Sequence, residues 1–493
     1  MRVLIITEGG KDIGFGHITR CTSIYQAFEE REVEPELIVN GDEPVHDFVK
    51  DKNCKIFAWL SNRESLFAAL RDADIVFVDS YLADYDLYEN ISKMVKTTVY
   101  FDDDIRMNYP KGFVVNGAIL AEQMFYPERK GVTYLLGARY APLRREFWHV
   151  PEKPIRDVLE TVMITFGGAD IRNLTPRVLK LLVDTYPRLV KKVIIGKSFR
   201  NTTEIEALKD YNTELVYYPD AAEMKKFMLE SDIAISTGGQ TLYELARVGL
   251  PTIAVSTVDS RLNSIYNWKE MGFIEYAGEW KDRLLTEAIK QKMKLLKNKS
   301  TRDYKRRVGN KLIDGKGSTR IVEELLSDVY KGKLVLRQAT FEDAHDIFNL
   351  ANDDVIRKNS FKPGKIEWEH HLEWLKEKLV DSNCSFFIVE CLGQLAGQVR
   401  FDVTSQQGGA VVNISLKKNM RGLGLSPVVI NESTEKLMKL REDVKLIRAY
   451  VKAENIASMK AFEKAGFKFL ESTIINSYKA RVYEKVVAGD KQR

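Results

Sequence analysis

Short apolar segments typical of β-strands alternate with helix-type segments from the first residues of the chain onward. Predicted strands form two sets, the first at residues 2–7, 36–40, 73–79 and 97–101, and the second at residues 161–166, 193–196, 215–218, 233–236 and 252–256. Nearly continuous apolar strands separated by helices are typical of parallel sheets that helices cover on both faces. The sequence therefore predicts an α/β fold with two successive doubly wound units and a cleft between them.

The domain boundaries follow from breaks in this alternation. Three prolines, Pro142, Pro151 and Pro154, punctuate the stretch between the two sets of strands and place a boundary near residue 150. After residue 332 the pattern changes to that of an α+β unit, with a predicted hairpin around Gly393. We therefore predict three domains, at residues 1–150, 151–332 and 333–493.

The charge of the chain is nearly balanced, with 75 Lys and Arg residues against 70 Asp and Glu residues. Such a balance argues against a dedicated nucleic-acid-binding protein. Residues 290–317 are an exception, since they carry eleven Lys or Arg residues against two Asp residues. We interpret this segment as a solvated helix face near a domain junction, with contact to nucleic acid or to a membrane surface as the alternative.

The cysteines and the apolar segments indicate where the protein resides. The four cysteines show no metal-binding or redox spacing, which is typical of reduced thiols (Cys21, Cys54, Cys384 and Cys391). No segment has the apolar length of a signal peptide or of a membrane helix. We expect a cytoplasmic protein without membrane insertion, and a homo-oligomer is compatible with the sequence.

A glycine-rich loop, Gly14-Phe-Gly16-His17, follows the first predicted strand and opens a helix. Glycines let the backbone approach a ligand closely, and a helix N-terminus offers N–H groups to an anion. The dinucleotide fingerprint GxGxxG is absent. Because ligands of doubly wound sheets bind at the carboxyl ends of the strands, we predict that His17 acts as a catalytic base, with a structural histidine as the alternative.

Two further loops in the second set of strands also open helices, FGGAD at residues 166–170 and STGGQTLYE at residues 236–244. Small residues and hydroxyl groups at a helix N-terminus can hold a diphosphate through backbone N–H groups. Glu244 lies about one turn into its helix, where a carboxylate can accept both hydroxyl groups of a ribose. The alternative is a plain strand-to-helix turn with an exposed glutamate.

These motifs resemble those of known families. The segment GGQTLYELARVGLP is similar to the nucleotide-binding segment of UDP-sugar enzymes with the glycosyltransferase-B fold of two Rossmann-like domains. Together, IGFGHITR, YFDDD, APLRREF and FGGADIRNLT resemble the UDP-sugar hydrolases of pseudaminic acid biosynthesis, over residues 1–325. Those enzymes cleave a UDP-linked 2,4-diacetamido-2,4,6-trideoxy-L-altrose to UDP and the free sugar.

The resemblance implies a role for each matching residue. His17 would activate the attacking water, and the sugar would be contacted by Tyr81, Asp103 and Asn263. UDP would be bound by Gly14, Gly16, Gly167, Gly168, Ser236, Gly238, Gly239, Gln240 and Glu244. We expect no metal, because backbone dipoles can neutralise the diphosphate, and we interpret the run Asp102–Asp104 as sugar contacts or structure. The chain departs from the family at residues 259–263, DSRLN, where related enzymes often have a glutamine before the asparagine.

The third domain carries a second pair of motifs, RGLGLS at residues 421–426 and NIASMKAFEKAGF at residues 455–467. Consecutive N–H groups beside an arginine form a nest that suits a pyrophosphate. Together the motifs resemble the GNAT N-acetyltransferases over residues 334–487, and residues 352–375 resemble an acetyltransferase that acts on a UDP-4-amino sugar. This implies acetyl-CoA as cosubstrate, bound by Arg421, Gly422, Gly424, Ser426, Asn455 and Ser458. Phe462 stands where the family often has a tyrosine that protonates the leaving thiolate. Without that tyrosine, the proton would come from Tyr450, Tyr478, Tyr483 or water.

The two resemblances describe consecutive steps. We expect a bifunctional enzyme that acetylates the 4-amino group of a UDP-4-amino-4,6-dideoxy sugar and then hydrolyses the UDP bond. The alternatives are a UDP-sugar glycosyltransferase of the same fold and the same two steps on a legionaminic- or bacillosamine-type sugar. The partners expected are a UDP-linked amino sugar and acetyl-CoA.

Overall fold

The computed structural model describes residues 1–10, 13–200, 202–257, 262–404 and 408–487, except for the side chains of residues 43, 44, 47 and 262–264. The chain divides into two compact units, Met1–Val322 and Glu323–Arg493. The predicted domain boundaries near residues 150 and 332 stay a prediction. Within the described ranges, no helix is long and apolar enough to span a membrane.

The first unit opens with a seven-stranded sheet in which all strands are parallel. Its strands are β1 (Val3–Gly9), β2 (Glu36–Gly41), β3 (Cys54–Ile56), β4 (Ile75–Asp79), β5 (Thr97–Phe101), β6 (Gly112–Asn116) and β7 (Val132–Leu136). Its helices are α1 (Gly16–Glu29), α2 (Glu43–Val49), α3 (Arg63–Ala69) and α4 (Tyr85–Met94). The strand order is β3-β2-β1-β4-β5-β6-β7, so the chain reverses direction across the sheet between β1 and β4. A crevice opens at such a reversal, outside the carboxyl ends of the strands.

A second parallel sheet, of six strands, completes the first unit. Its strands are β8 (Thr161–Thr165), β9 (Val190–Ile195), β10 (Thr213–Tyr217), β11 (Ile233–Thr237), β12 (Thr252–Ser256) and β13 (Ile274–Glu279). The helices that follow are α5 (Leu174–Thr185), α6 (Thr202–Leu208), α7 (Ala221–Glu230), α8 (Gln240–Val248), α9 (Leu262–Glu270), α10 (Leu285–Leu296), α11 (Lys299–Leu312) and α12 (Gly317–Lys331). The order β10-β9-β8-β11-β12-β13 places a second reversal between β8 and β11.

The second unit has a mixed seven-stranded sheet of order β14-β15-β16-β17-β18-β20-β19. Its strands are β14 (Leu334–Gln338), β15 (Cys384–Cys391), β16 (Gln394–Thr404), β17 (Gly409–Leu416), β18 (Leu446–Lys452), β19 (Lys468–Ile475) and β20 (Tyr478–Val486). The helices are α13 (Ala344–Ala351), α14 (Asp354–Asn359), α15 (Trp368–Val380), α16 (Leu425–Leu440) and α17 (Ile456–Lys464). Strands β17 and β18 are parallel and pair only from Gly409–Leu446 to Val411–Arg448, so they separate beyond those residues.

The strands that the apolar pattern predicts correspond to the buried centres of the sheets. All seven residues of β1 and all five of β4 are buried, as expected where helices cover both faces. The sequence analysis missed β3, β6, β7 and β13. Two of these, β3 and β7, have partly exposed residues at every or nearly every position, so they lack the continuous apolar pattern of a central strand.

The basic segment at residues 290–317 forms parts of α10, α11 and α12, and some of its cations are buried rather than solvated. The guanidinium of Arg302 is fully buried and donates to the carbonyls of Leu296 and Lys297 at 2.7 and 2.8 Å, where α10 ends. Lys305 is buried as well and lies 2.8 Å from a carboxylate oxygen of Glu275. Arg302 thus connects α11 to the end of α10, and Lys305 connects α11 to β13, which differs from a purely solvated face.

Candidate functional site

The first unit contains a cavity of about 590 Å³, which is lined by residues from the crevices of both sheets. Its lining includes many of the predicted site residues, namely Gly14, Gly16, His17, Tyr81, Asp103, Gly238, Gly239 and Gln240. Asp102 and Asp104, from the run interpreted as sugar contacts or structure, also line it, and further lining residues that the sequence analysis did not select are Ile13, Arg20, Arg106, Ala118, Tyr243 and Trp268. The loops after β1 and β11, which are distant in sequence, therefore face one space.

Two helix N-termini contribute to this lining without a side-chain cap. Helix α1 begins at Gly16 after Phe15, and α8 begins at Gln240 after Gly239, and neither preceding residue accepts a capping hydrogen bond. The first N–H groups of a helix have no partner within the helix, and this end carries the positive pole of the helix dipole. The cavity is therefore suited to an anionic ligand such as a diphosphate.

Helix α5, which follows the FGGAD loop, is different because Asp170 caps it. The Asp170 carboxylate accepts from the backbone N–H groups of Leu174 and Thr175 at 2.9 and 2.7 Å. Those donors are already used, so a phosphate would have to bind the preceding loop rather than the helix. A Cβ atom on Gly168 would lie 3.8 Å from the Phe15 ring, which places this loop beside the GFGH loop. The predicted UDP contacts of Gly167 and Gly168 stay a prediction.

The loop after β11 is shaped by close packing. A Cβ atom on Gly238 would come within 2.5 Å of the Ile265 side chain, so this position needs glycine for α9 to pack against it. Gln240 donates through Nε2 to the carbonyl of Pro142 at 2.5 Å, which ties α8 to the segment between the two sheets. Ser236 is fully buried, and its hydroxyl donates to the carbonyl of Thr237 at 3.3 Å.

His17 is held at the crevice of the first sheet by a carboxylate from the neighbouring strand. Its Nδ1 atom lies 2.7 Å from Oδ1 of Asp79, the last residue of β4. Burial raises the pKa of Asp79, but the charges of Arg20 and His17 and their hydrogen bonds lower it more, so the carboxyl stays ionised. The Tyr81 ring packs edge-on against the imidazole, with ring centroids 4.6 Å apart.

Arg20 connects Asp79 to a second carboxylate. Its Nε and NH2 atoms donate to the two oxygens of Asp79 at 2.8 and 2.6 Å, and its NH1 atom donates to Oδ1 of Asp103 at 2.8 Å. The Tyr81 hydroxyl donates to the other oxygen of Asp103. Both Asp103 oxygens thus have protein donors, and a sugar contact by Asp103 or Tyr81 stays a prediction.

Two buried carboxylates shape the loops around this cluster. Oδ1 of Asp102 accepts from the backbone N–H groups of Asp103, Asp104 and Arg106, and Oδ2 accepts from the Tyr126 hydroxyl at 2.7 Å. This agrees with a structural role for Asp102. Glu8 at the end of β1 accepts from the backbone N–H of Tyr81 at 2.8 Å and so fixes the turn that carries Tyr81.

Glu244 does not line the cavity in the described structure but forms a buried ion pair. Arg144 donates from Nε and NH2 to its two carboxylate oxygens at 2.8 and 3.0 Å. Burial raises the pKa of Glu244, and the charge of Arg144 lowers it, with burial the larger effect. The ribose contact predicted for Glu244 stays a prediction, as does that of Asn263, whose side chain lies outside the described part of the chain.

The sequence analysis left Asp79 and Arg20 without a role, although signals for both were present. The predicted strand at residues 73–79 ends in an aspartate, and parallel strands bring their carboxyl ends to one edge. Arg20 follows His17 by three residues, a spacing that places both on the same side of α1. Across all described residues, no group of three or more His, Cys, Asp or Glu side chains is arranged to hold a metal ion.

The second unit has a candidate site where β17 and β18 separate. The RGLGLS loop follows β17, and α16 begins at Leu425 after Gly424, which has a φ of 68° and provides no side-chain cap. A Cβ atom on Gly424 would meet no atom within 4 Å. The backbone edges of the separated strands and the start of α16 thus offer N–H groups to a ligand with amide and phosphate groups.

Several residues that are predicted to bind acetyl-CoA form hydrogen bonds or ion pairs within the second unit. Arg421 donates from Nε to the carbonyl of Leu416 at 2.8 Å, and its NH2 atom lies 2.9 Å from Oδ1 of Asp353. The Asn455 side chain caps α17 by accepting from the N–H of Ser458 at 3.1 Å. The predicted acetyl-CoA contacts of these residues, and of Gly422 and Ser426, stay predictions.

The three tyrosines that could replace Phe462 as the acid differ in exposure. Tyr483 is fully buried and donates to a Glu463 carboxylate oxygen at 3.0 Å, and burial raises its pKa. Tyr450 and Tyr478 are 38% and 37% exposed, which leaves them more accessible to a cosubstrate than Tyr483. Phe462 itself is buried and packs edge-on against Phe467.

Comparison with protein families assigns domains to both units. Residues 161–315 match the glycosyltransferase family 28 C-terminal domain, and residues 333–468 match the acetyltransferase (GNAT) domain. The chain joins a glycosyltransferase-28-like domain to a GNAT domain. The predicted fold class, two Rossmann-like domains followed by an α+β GNAT domain, is confirmed by these matches and by the three sheets. The GNAT match also agrees with the predicted acetyl-CoA cosubstrate.

Three relatives of the chain cover different parts of it. An uncharacterized protein of Methanocaldococcus jannaschii is 23% identical over 95% of this chain and 97% of its own length. The pseudaminic acid cytidylyltransferase and UDP-2,4-diacetamido-2,4,6-trideoxy-beta-L-altropyranose hydrolase of Helicobacter pylori is 22% identical over 56% of this chain and 48% of its own length. The spore coat polysaccharide biosynthesis protein SpsG of Bacillus subtilis is 20% identical over 68% of this chain and 100% of its own length.

Solved structures of acetyltransferases also align with part of the chain. The spermidine N-acetyltransferase of Vibrio cholerae is 21% identical, with a TM-score of 0.30, and the alignment covers 31% of this chain and 96% of that chain. An aminoglycoside acetyltransferase in complex with coenzyme A is 16% identical, with a TM-score of 0.28, over 31% of this chain and 94% of that chain.

Proposed function

We propose that the first unit hydrolyses a UDP-linked 2,4-diacetamido-2,4,6-trideoxy sugar to UDP and the free sugar. The observation that carries this proposal is that His17, paired with Asp79, faces the same cavity as the uncapped N-terminus of α8. A base and an anion-binding helix end that line one space suit the cleavage of a bond between a sugar and a diphosphate. The partial similarity to the Helicobacter pylori hydrolase supports the same reaction.

In this reaction, His17 accepts a proton from water while the water oxygen forms a bond to the anomeric carbon. The bond between that carbon and the diphosphate oxygen breaks, and its electron pair leaves with UDP. The N–H groups at the starts of α1 and α8 stabilise the charge that develops on the diphosphate. Arg106 lines the cavity and adds a positive charge, held in place by a 2.9 Å hydrogen bond to the Tyr88 hydroxyl.

We further propose that the second unit transfers an acetyl group from acetyl-CoA to the 4-amino group of a UDP-4-amino-4,6-dideoxy sugar. The match to the GNAT domain and the separation of β17 from β18 beside the RGLGLS loop support this step. The amine attacks the thioester carbon, the bond from carbon to sulfur breaks, and the thiolate leaves with coenzyme A. Acetylation would produce the diacetamido sugar that the first unit then hydrolyses.

The test is to follow the full chain by NMR with a UDP-4-amino-4,6-dideoxy sugar, with and without acetyl-CoA. With acetyl-CoA we expect a new acetamido signal, followed by UDP and the anomeric protons of a free reducing sugar. Without acetyl-CoA we expect much slower release of UDP. An unchanged nucleotide sugar in both samples would contradict the proposal.

A glycosyltransferase is the second candidate, and the match of residues 161–315 to the glycosyltransferase family 28 C-terminal domain favours it. A transferase would release UDP only when an acceptor is present, and its product would be a glycoside rather than a reducing sugar. The same NMR experiment separates the two reactions. Parallel samples with legionaminic- and bacillosamine-type sugars would identify the preferred configuration.

A further inference from the structure

Asp79 connects His17 to two further charged groups, Arg20 and Asp103, which both line the cavity. Oδ1 of Asp79 is shared by His17 Nδ1 at 2.7 Å and Arg20 NH2 at 2.6 Å, and Oδ2 accepts from Arg20 Nε at 2.8 Å. Arg20 is fixed on its far side by Asp103 at 2.8 Å. Asp79 itself is 1% exposed, so this geometry is set inside the protein rather than by solvent.

The Asp79 carboxylate decides which imidazole nitrogen carries the hydrogen. An ionised carboxylate only accepts hydrogen bonds, so the Nδ1 atom at 2.7 Å must be the donor. The neutral ring then has its acceptor at Nε2, the nitrogen that is not engaged by Asp79. We propose that Asp79, oriented by Arg20, is a positioning residue that holds His17 in the tautomer with hydrogen on Nδ1, ready to take a proton at Nε2.

The charges around His17 favour the same role. Asp79 and Asp103 carry negative charges, and Arg20 carries one positive charge, so the group has a net charge of −1 beside the imidazole. The other groups that face Asp79 and His17 are the Cys21 thiol, whose pKa burial raises, and the Tyr81 hydroxyl, which donates to Asp103. Both stay neutral at physiological pH, so Asp79 is the anion in direct contact with the imidazole, at its Nδ1 atom.

The Tyr81 ring restricts the imidazole from one side. The two rings are nearly perpendicular, at 89°, with centroids 4.6 Å apart. The hydrogen bond to Asp79 sets the direction of Nδ1, and this packing limits rotation of the ring about that bond. His17 is thus fixed by Asp79 and Tyr81, both at the carboxyl end of β4.

This inference rests on the proposed hydrolysis, but its first test needs no substrate. Nitrogen-15 NMR of the imidazole, on the full chain at a pH where His17 is neutral, distinguishes the two tautomers. We expect hydrogen on Nδ1 in the wild-type protein. Asp79→Asn has one oxygen and one N–H₂ group, and we expect the oxygen to keep accepting from the charged Arg20 at the Oδ2 position. The N–H₂ group then faces Nδ1, so this variant should populate the tautomer with hydrogen on Nε2. Asp79→Glu keeps the carboxylate and Asp86→Asn makes the same chemical change at an exposed position, so both controls should keep the wild-type tautomer.

The second test is kinetic and uses UDP release from the diacetamido sugar. We expect Asp79→Asn to lower kcat by about 100-fold or more, the range that a general base contributes, with a smaller effect on KM. Asp86→Asn should retain the wild-type kcat.

The outcomes separate this inference from the proposed function. Hydrogen on Nε2 in the wild-type protein, or an unchanged tautomer in Asp79→Asn, would overturn the positioning role, whatever the activity. A loss of kcat in Asp79→Asn with an unchanged tautomer would indicate a purely structural role and would also overturn it. Absence of UDP release from the wild-type protein would overturn the hydrolysis, while the tautomer measurement would still decide the role of Asp79.

Discussion

Arg144→Met is the substitution whose effect on stability follows most directly from the structure. It removes the guanidinium that donates to both oxygens of Glu244, a side chain that is 3% exposed. Removing one partner of a buried ion pair destabilises a protein by about 3–5 kcal/mol, because the other charge stays buried without compensation. The Arg144 side chain is 24% exposed, so water can partly replace it. We therefore expect a loss of about 3 kcal/mol, at the lower end of that range.

The loss of stability in Arg144→Met should depend on pH. In the wild-type protein, burial raises the pKa of Glu244 and Arg144 opposes this shift. Without Arg144, the folded-state pKa rises further above the unfolded value of about 4.3. A carboxyl group with a raised folded-state pKa stabilises the fold most when it is protonated, and this contribution is lost as pH rises through that pKa. The deficit of Arg144→Met should thus be smaller at about pH 5 than at about pH 8.

Hydrogen exchange measured by mass spectrometry can test this in the full chain, because it reports each region separately. We expect faster exchange in α8 and β11 of the variant, while the β15–β16 hairpin of the second unit serves as an internal reference. The double variant Arg144→Met/Glu244→Gln removes the buried charge and should recover most of the loss. A deficit below about 1 kcal/mol at both pH values, or an equal deficit at both, would refute the reasoning.

Three further substitutions test other parts of the molecule. His17→Ala should abolish UDP release while acetylation of the 4-amino sugar continues, and hydrolysis that survives would remove His17 as the base. Gly424→Trp should fill the open space at the start of α16 and prevent acetyl-CoA binding in calorimetry, and hydrolysis of a pre-acetylated sugar should continue. Arg302→Met should lower the free energy of unfolding by about 1–3 kcal/mol, because the carbonyls at the end of α10 lose their donor. The exposed Arg307→Met is its control, and equal effects of the two in urea unfolding would contradict the buried role of Arg302.

The sequence was most informative where local pattern and position coincide. The central strands could be predicted because helices bury both of their faces, which demands continuous apolar residues. The loops with His17 and with Gly238–Gln240 could be predicted because a glycine-rich turn between a strand and a helix has few alternatives. Edge strands such as β3 and β7 escaped prediction because their partly exposed positions are not restricted to apolar residues.

Contacts between distant residues could not be predicted in the same way. Asp79 is 62 positions from His17, and Arg144 is 100 positions from Glu244. The ribose contact of Glu244 stays a prediction, but no local pattern indicated that Arg144 donates to both of its carboxylate oxygens. Asp170 is a similar case, since it lies four residues before the start of α5, and only the hydrogen bonds show that it accepts from the first N–H groups of that helix. Such partners depend on how the sheets bring segments together, which no local pattern records.

Helices α1 and α8 lack the side-chain cap that would stabilise their N-termini. Helices α4 and α7 are preceded by Asp84 and Asp220, whose carboxylates cap them, and such a cap stabilises a helix by about 0.5–2 kcal/mol. Helices α1 and α8, which face the cavity, lack this stabilisation. An anion that binds there completes both helices, so occupancy and folding are thermodynamically linked. A nucleotide ligand would then stabilise the two helix N-termini that bind it, and these N-termini would be less stable after the ligand leaves.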